Sequence, residues 1–538
     1  MVNALSDATT PEPSITFIVP VPTSGEVDLG SVFQSLFAQS DASWQAVIVA
    51  RSYHATENAS LARDERILVV PLHDGQSLGD AINLGIEAAL GKFVAVISPN
   101  DVLVPDAVSA LRDMVAISPD AEVIYSDESR LDGQPTFAKP AFSPERLRSQ
   151  FYFGNATVYR RSRLNALGGV RQGLDGAELY DLALRVTREV DTVAHVGREM
   201  VSSSSPRLEV LWGISLQESD RAVRAVLEEH LGRTGGGVVD GVFESGVHRT
   251  HRLVQGEPLI SIVIPTRGST AVVRGVERCM VVEAVKSVVE LSTYTNYEFV
   301  VVIDDVAGPS VYRDLTEIAG DRIRFVEWSK PFSFSEKMNL GVLHSRGEFV
   351  LLLNDDVELI TPGWMEALLA LAQRPSAGLV GAMLYFEDDT IQHAGHAYYH
   401  LDVSHIGLNS QRGASGPAGG FLVEREVAGV TCACALMAKS VFLEAGGFST
   451  LLPGNFNDVD LCMKVASLGY QSYWTPRAEL YHFESRSRDP KVSAYEIRTA
   501  WNRWEHLFWD SPYWPMNPHE LFRSEGEIYT QYKTLGDS

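Results

Sequence analysis

The chain has 538 residues, 45% hydrophobic and 21% charged, which is too long for one core and ordinary for a globular protein. A formal net charge of −24 and a pI near 5.0 exclude the clustered Lys and Arg that drive nucleic-acid binding. Four cysteines (Cys279, Cys432, Cys434, Cys462) lack a C-x-x-C zinc spacing and read as reduced packing residues.

No run approaches the ~20 apolar residues of a membrane span, and the opening MVNALSDATTPEPS lacks signal-peptide regions. The expectation is a cytoplasmic protein, with peripheral docking at the inner face of the cytoplasmic membrane left open.

Taken in order, the elements occur twice. The first half opens on a strand-like run, SITFIVPVPTSG, and the second on LISIVIPTRGS, which pairs Pro22, Thr23 and Gly25 with Pro265, Thr266 and Gly268. After a helical stretch, WQAVIVARS matches YEFVVVIDD, so Arg51 and Ser52 stand where Asp304 and Asp305 stand.

QSLGDAINLGIEAALGKFVAVISPN then matches FSFSEKMNLGVLHSRGEFVLLLNDD, which aligns Asn83 with Asn339 and Asn100 with Asp356. The runs FVAVI and FVLLL lack in/out alternation and read as buried strands of a largely parallel sheet with helices on both faces. Thr361-Pro362 reads as the N-cap and first residue of the helix after the second run.

A third shared block pairs Gly168-Gly169 with Gly446-Gly447, Leu179 with Asp458, and Asp181 with Asp460. Between the halves, ESDRAVRAVLEEHLGRTG reads as a helix and VVDGVFESGVHRTHRL as strand-rich. The expected organisation is two tandem α/β units: residues 1–210, a linker at 211–256, and 257–538 with a C-terminal helical extension.

The blocks SIVIPTRG, VVVIDD, NLGVLHSRGEFVLLLNDDVELITPGW, GGF, NFNDVDLCMKV and AELYHFES, in that order across residues 257 to 490, resemble the GT-A fold glycosyltransferases of family 2. The resemblance implies two GT-A-like, Rossmann-like domains. It also implies inverting, metal-dependent transfer of a sugar from a UDP- or dTDP-sugar to a hydroxyl of a growing cell-surface glycan. Rhamnosyl, other hexosyl and galactofuranosyl transfer all fit it.

In that resemblance Asp356 and His482 are ligands of Mg2+ or Mn2+, and Asn354 stands at the first position of the family's Asp-x-Asp motif. Asp304 and Asp305 resemble the pair that binds base and ribose. Pro265, Thr266, Lys337, Asn339, Asn354 and Asp355 complete the nucleotide-sugar side, and Asp458 is the base that deprotonates the acceptor. Glycan or lipid-linked glycan is the acceptor class, and a homo-oligomer is compatible with the reading.

His393, His396, His400 and His405 lack the helical i, i+4 pair of a zinc enzyme and read as an acceptor-side loop rather than a metal site. Arg486 and Arg488 are phosphate-clamp candidates left outside the core site. Trp501, Trp504 and Trp509 read as core packing on one helical face.

In the first half the aligned positions are Arg51-Ser52, Ser98-Pro99-Asn100, Leu179 and Ser203, so that half reads as non-catalytic. The competing reading is a carbohydrate-binding scaffold with both halves inactive, motivated by Asn354 and Asn457 at positions the family fills with acids. A nucleotidyltransferase lacks support, because no Gly-rich, basic loop follows either first strand.

Overall fold

A computed structural model of the chain describes residues 13–22, 27, 29–51, 64–130, 136–188, 192–203, 207–243, 247–399, 402–483, 492–507 and 511–514. The chain forms two compact units, Met1–Thr234 and Gly235–Ser538. The predicted helix of the connecting region, Leu216–Arg233, belongs to the first unit, where it packs on the helix Glu178–Thr187.

The strands of the first unit are β1 Ile15–Pro20, β2 Trp44–Ala50, β3 Ile67–Pro71, β4 Phe93–Val96, β5 Val102–Leu103, β6 Val123–Arg130, β7 Val158–Arg160 and β8 Val193–Ser203. They form one sheet in the order β3-β2-β1-β4-β7-β6-β8-β5. The second unit begins with a hairpin, β9 Gly237–Val242 and β10 His248–Arg252, followed by β11 Ile260–Thr266 and a second hairpin, β12 Thr270–Val273 and β13 Val276–Cys279.

It continues with β14 Tyr297–Asp304, β15 Ile323–Trp328, β16 Phe349–Leu353, β17 Val357–Leu359, β18 Ala377–Tyr385, β19 Ile391–His393, β20 His396–Tyr399, β21 Asp402–His405, β22 Arg425–Val427, β23 Cys434–Ala438 and β24 Gln471–His482. Its main sheet runs β15-β14-β11-β16-β23-β18-β24-β17, strand for strand the order of the first unit. The four leading strands of each sheet are parallel, as expected for buried, non-alternating runs, and β7 or β23 enters antiparallel beside them.

Helices cover both faces of the second sheet. Ile260, Ile262 and Ile264 of β11 pack with Val281, Val285, Leu368 and Leu371 of the helices Met280–Leu291 and Trp364–Ala372. Val263 points the other way, among Met338 and Val342 of the helix Phe334–His344. That helix lies so close that a Cβ on Gly341 would sit 2.3 Å from Val263, and Gly85 stands likewise 2.4 Å from Ile18 in the first unit.

One hydrogen-bond device recurs with different side chains. Thr16 Oγ1 accepts from Gly91 N–H and donates to Gln45 Oε1, and Gln45 Oε1 accepts from Leu90 N–H. In the second unit Ser261, Gly347, Glu298 and Arg346 take those places.

Register corrects two expected equivalences. Ile15 pairs with Trp44 and Phe93 as Ile260 pairs with Tyr297 and Phe349, so Pro20 rather than Pro22 stands opposite Pro265, and Val21 opposite Thr266. The repeated Pro-Thr-x-Gly is two residues out of step with the sheet, and Thr23 and Gly25 lie outside the described residues. Likewise Val102 pairs with Ser202 as Val357 pairs with His482, which places Asp101, not Asn100, opposite Asp356 and Ser202 opposite His482.

Thr361 is not the helix cap expected of it. The helix starts at Trp364 with Gly363 before it, and Thr361 Oγ1 donates to Arg477 O (3.1 Å) and accepts from Glu479 N–H (2.9 Å), tying the chain to β24. Among the described residues no helix is long and apolar enough to cross a membrane.

Candidate active site

The carboxyl ends of β11, β14 and β16 lie at one sheet edge, where open α/β sheets bind ligands. Two side-chain networks form there.

The first joins the ends of β11 and β14 to the helix Phe334–His344. Lys337, 1% exposed, pairs with Asp304 and donates from Nζ to Thr266 O (3.1 Å), while Arg267 Nε lies 3.5 Å from the other Asp304 oxygen. Burial pulls the Lys337 ammonium below its ordinary pKa, and the Asp304 carboxylate opposes that pull.

Thr266 Oγ1 donates to Asp355 Oδ2 (2.6 Å) and accepts from Gly268 N–H (2.9 Å). Burial, and then the adjacent Asp356, push the Asp355 carboxyl up to about 7. Pro265, half-buried, closes β11 beside Val302, and Asp305 is exposed with its N–H held by Trp328 O.

The second network joins the ends of β16 and β24. His482 Nε2 lies 3.2 Å from Asp356 Oδ1 and 3.0 Å from Asn354 Nδ2, while His482 Nδ1 lies 2.7 Å from Gln392 Oε1. Asp356 is 7% exposed and His482 8%. Asn354 Oδ1 is buried, and among the described residues no hydrogen-bond donor reaches it.

A carboxylate oxygen and an imidazole nitrogen 3.2 Å apart at the strand ends, beside a residue whose amide oxygen lacks a donor, are donor types a divalent cation of the Mg2+ or Mn2+ type takes. The residues therefore fit such a cation.

Asp458 sits in the first turn of the helix Asn457–Ser467, entered through Phe456 at φ 55°. Its carboxylate is 21% exposed, accepts from Val459 N–H (2.8 Å) and lies 3.9 Å from His396 Nε2. An accessible carboxylate with one oxygen anchored to the backbone suits proton abstraction.

The histidine segment forms β19 and the hairpin β20–β21 and brings together His393, His396 and His405, with ring centroids 4.8 to 5.4 Å apart. Their ligand atoms lie within 4.8 Å of one another, a convergence the sequence reading missed. Thr431 N–H donates to His393 Nε2 (3.2 Å), which leaves the proton on Nδ1 to face His405 Nδ1 at 2.6 Å. His393 thus has a hydrogen-bond partner at each ring nitrogen. Burial holds the His393 and His396 imidazoles below the usual range.

Asn339 joins neither network. Its amide donates to Phe448 O (2.9 Å) and accepts from Phe448 N–H (2.8 Å), as Asn83 does with Val170 in the first unit. Gly447 (φ 62°) and Gly169 (φ 75°) leave room for these amides, since a Cβ would meet the Asn oxygen at 2.5 and 2.2 Å. Asp460 also repeats: it pairs with Lys464, which bonds Gly447 O, as Asp181 pairs with Arg185, which bonds Gly169 O. Positions that behave alike in both units serve the fold.

Positions that differ gather at the pocket. By register and helix position, Thr266, Asp304, Lys337, Asp458 and His482 correspond to Val21, Arg51, Ala81, Leu179 and Ser202. Asp101 remains, its carboxyl raised to about 7 by burial. Gln392 and Thr431 escaped the sequence reading, although Gln392 adjoins a histidine it had singled out. Trp501 packs in a buried cluster, and Trp504 Nε1 bonds Asp460. Arg486, Arg488, His400, Trp509 and Ser52 lie outside the described residues.

Fold and site define an α/β unit with carboxylates and a histidine grouped at its sheet edge. Residues 261–445 match the family model described as Glycosyl transferase family 2.

Over 94% of its length the chain is 32% identical to the uncharacterized protein y4gI of Sinorhizobium fredii, covering 57% of that protein. It is 29% identical to the O-antigen biosynthesis protein RfbC of Myxococcus xanthus, again over 94% of the chain and covering 40% of that protein. The chain thus spans about half the length of these curated relatives. Among solved structures, S. aureus TarS 1-349 in complex with UDP-GlcNAc matches at 14% identity and TM-score 0.35, over 40% of this chain and 66% of that one.

Proposed function

We propose that residues 257–538, within the second unit, form an inverting glycosyltransferase that moves a sugar from a UDP- or dTDP-sugar to a hydroxyl of a growing cell-surface glycan, free or lipid-linked. The observation that carries the reading is the meeting of Asp356, His482 and Asn354 at the sheet edge in the unit that matches the family 2 model.

Asp356 and His482 would hold Mg2+ or Mn2+, with Asn354 Oδ1 beside them. When bound, the cation neutralises charge that builds on the departing diphosphate. Asp304 and Asp305 accept hydrogen bonds from the base and ribose, and Lys337 holds the Asp304 carboxylate in place through their ion pair. Pro265, Thr266 and Asp355 wall the nucleotide side. Asp458 takes the proton of the acceptor hydroxyl as the new glycosidic bond forms on the face opposite the leaving group.

The glycan class is supported by the relative named for O-antigen biosynthesis, and rhamnosyl, other hexosyl and galactofuranosyl transfer all belong to the reading. Such an acceptor would place the protein at the inner face of the cytoplasmic membrane. Residues 1–210, within the first unit, are read as non-catalytic.

The test is hydrolysis of a panel of UDP- and dTDP-sugars with Mn2+ or Mg2+ by the intact chain, Asp356→Ala and Asp458→Asn. The expected outcome is metal-dependent cleavage of one donor, abolished by the first substitution and reduced at least about 100-fold by the second. No cleavage of any donor, with no donor binding by calorimetry, would favour the scaffold reading instead.

A further inference from the structure

We propose that Gln392 is a positioning residue that fixes the proton of His482 on Nδ1 and so presents the Nε2 lone pair to the cation. The inference rests on the cation site proposed above.

Gln392 is the middle residue of the three-residue strand β19, which pairs antiparallel with β18 through an irregular step between Leu384 and Tyr385. Successive side chains of a strand point to opposite faces. His393 accordingly joins the imidazole cluster, and Gln392 turns to His482. Gln392 is 4% exposed, so neither partner of this contact is shared with bulk water.

The orientation of the amide follows from what surrounds it. Gln392 Nε2 lies 3.5 Å from the backbone carbonyl oxygen of His482, an atom that can only accept. The amide nitrogen therefore faces that carbonyl, which leaves Oε1, a pure acceptor, 2.7 Å from His482 Nδ1. Nδ1 must carry the proton, and the neutral imidazole then has its lone pair on Nε2.

A second contact agrees. Asn354 Nδ2, a pure donor, lies 3.0 Å from Nε2, as it would toward a lone pair. The same nitrogen stands 3.2 Å from Asp356 Oδ1. Without Gln392, the more favourable tautomer beside that carboxylate would put the proton on Nε2, donate it to Asp356, and close the site to a cation.

Metal-ligating histidines are commonly held this way, by an acceptor on the far nitrogen. Here that acceptor is a neutral amide rather than a carboxylate, so the imidazole is oriented without a further negative charge in the buried pocket.

Mn2+ binding to the full chain would be followed by electron paramagnetic resonance of the free ion, alongside the melting temperature, for the native protein, Gln392→Leu, Gln392→Glu and Asp356→Asn. Gln392→Leu should weaken Mn2+ binding on the order of 10- to 100-fold, and Gln392→Glu, which keeps an acceptor at Nδ1, should restore it to within a few-fold. A role confined to packing would lower the melting temperature of both Gln392 variants and leave Mn2+ affinity unchanged.

Wild-type affinity in Gln392→Leu, with Mn2+ binding lost in Asp356→Asn, would overturn the positioning role and leave the site intact. Unchanged binding in Asp356→Asn would instead remove the site itself. Should the leucine variant fail to fold, nitrogen-15 spectra of the metal-free native protein decide: His482 protonated on Nδ1 supports the proposal, and protonation on Nε2 overturns it.

Discussion

At the scale of single residues, comparison of the two units sorts chemistry from scaffolding. Asp101 occupies the place of Asp356, but with Ser202 where His482 would be it has no imidazole beside it. Burial, opposed by the hydrogen bond from Ser98 N–H, raises its carboxyl to about 7. A half-protonated acid is a poor cation ligand.

The folded unit therefore binds more protons than the unfolded chain between about pH 4 and 7, and its stability falls as pH rises through that window. Asp101→Asn should accordingly stabilise the first unit by on the order of 1–3 kcal/mol at pH 8 and by little at pH 4, which thermal melts at the two pH values would read. Asp304, Asp355, Asp356 and His482 were legible as motifs. Their division into two networks was not, because it depends on side chains such as Lys337 and Gln392, which the fold brings to the pocket from a helix and from β19, distant in sequence.

At the scale of elements, the Asn-to-turn clamp is a sequence identity that holds the same turn in both units. Asn339 aligns with Asn83, and in each unit the amide spans two backbone groups of the turn that follows a Gly-Gly pair. Asn339→Ala should destabilise the second unit by roughly 2–4 kcal/mol, since a backbone donor and acceptor both lose their partner. The KM for donor should stay unchanged below the melting transition; a large rise in KM at full folding would return Asn339 to the nucleotide pocket.

The repeated series of elements was readable because the buried parallel strands are non-alternating apolar runs. Two details were hidden. A repeated Pro-Thr-x-Gly drew the alignment of β1 two residues off the hydrogen-bonded register, and Thr361-Pro362 mimics a helix start while Thr361 is bonded to β24. The antiparallel strands β7 and β23, three and five residues long, are too short for periodicity to reveal.

At the scale of the molecule, one fold is written twice and the pocket side chains survive once. The first sheet keeps its strand order, its buried Thr16–Gln45 device and its Asn83 clamp, yet carries Arg51, Ala81, Leu179 and Ser202 where the second has Asp304, Lys337, Asp458 and His482. The measurement that tests this most directly is calorimetric titration of UDP with Mn2+ into the full chain, Asp356→Ala and Asp101→Asn. The account predicts one site per chain, lost in Asp356→Ala and unchanged in Asp101→Asn; two sites, or a site that survives Asp356→Ala and disappears with Asp101→Asn, would contradict it.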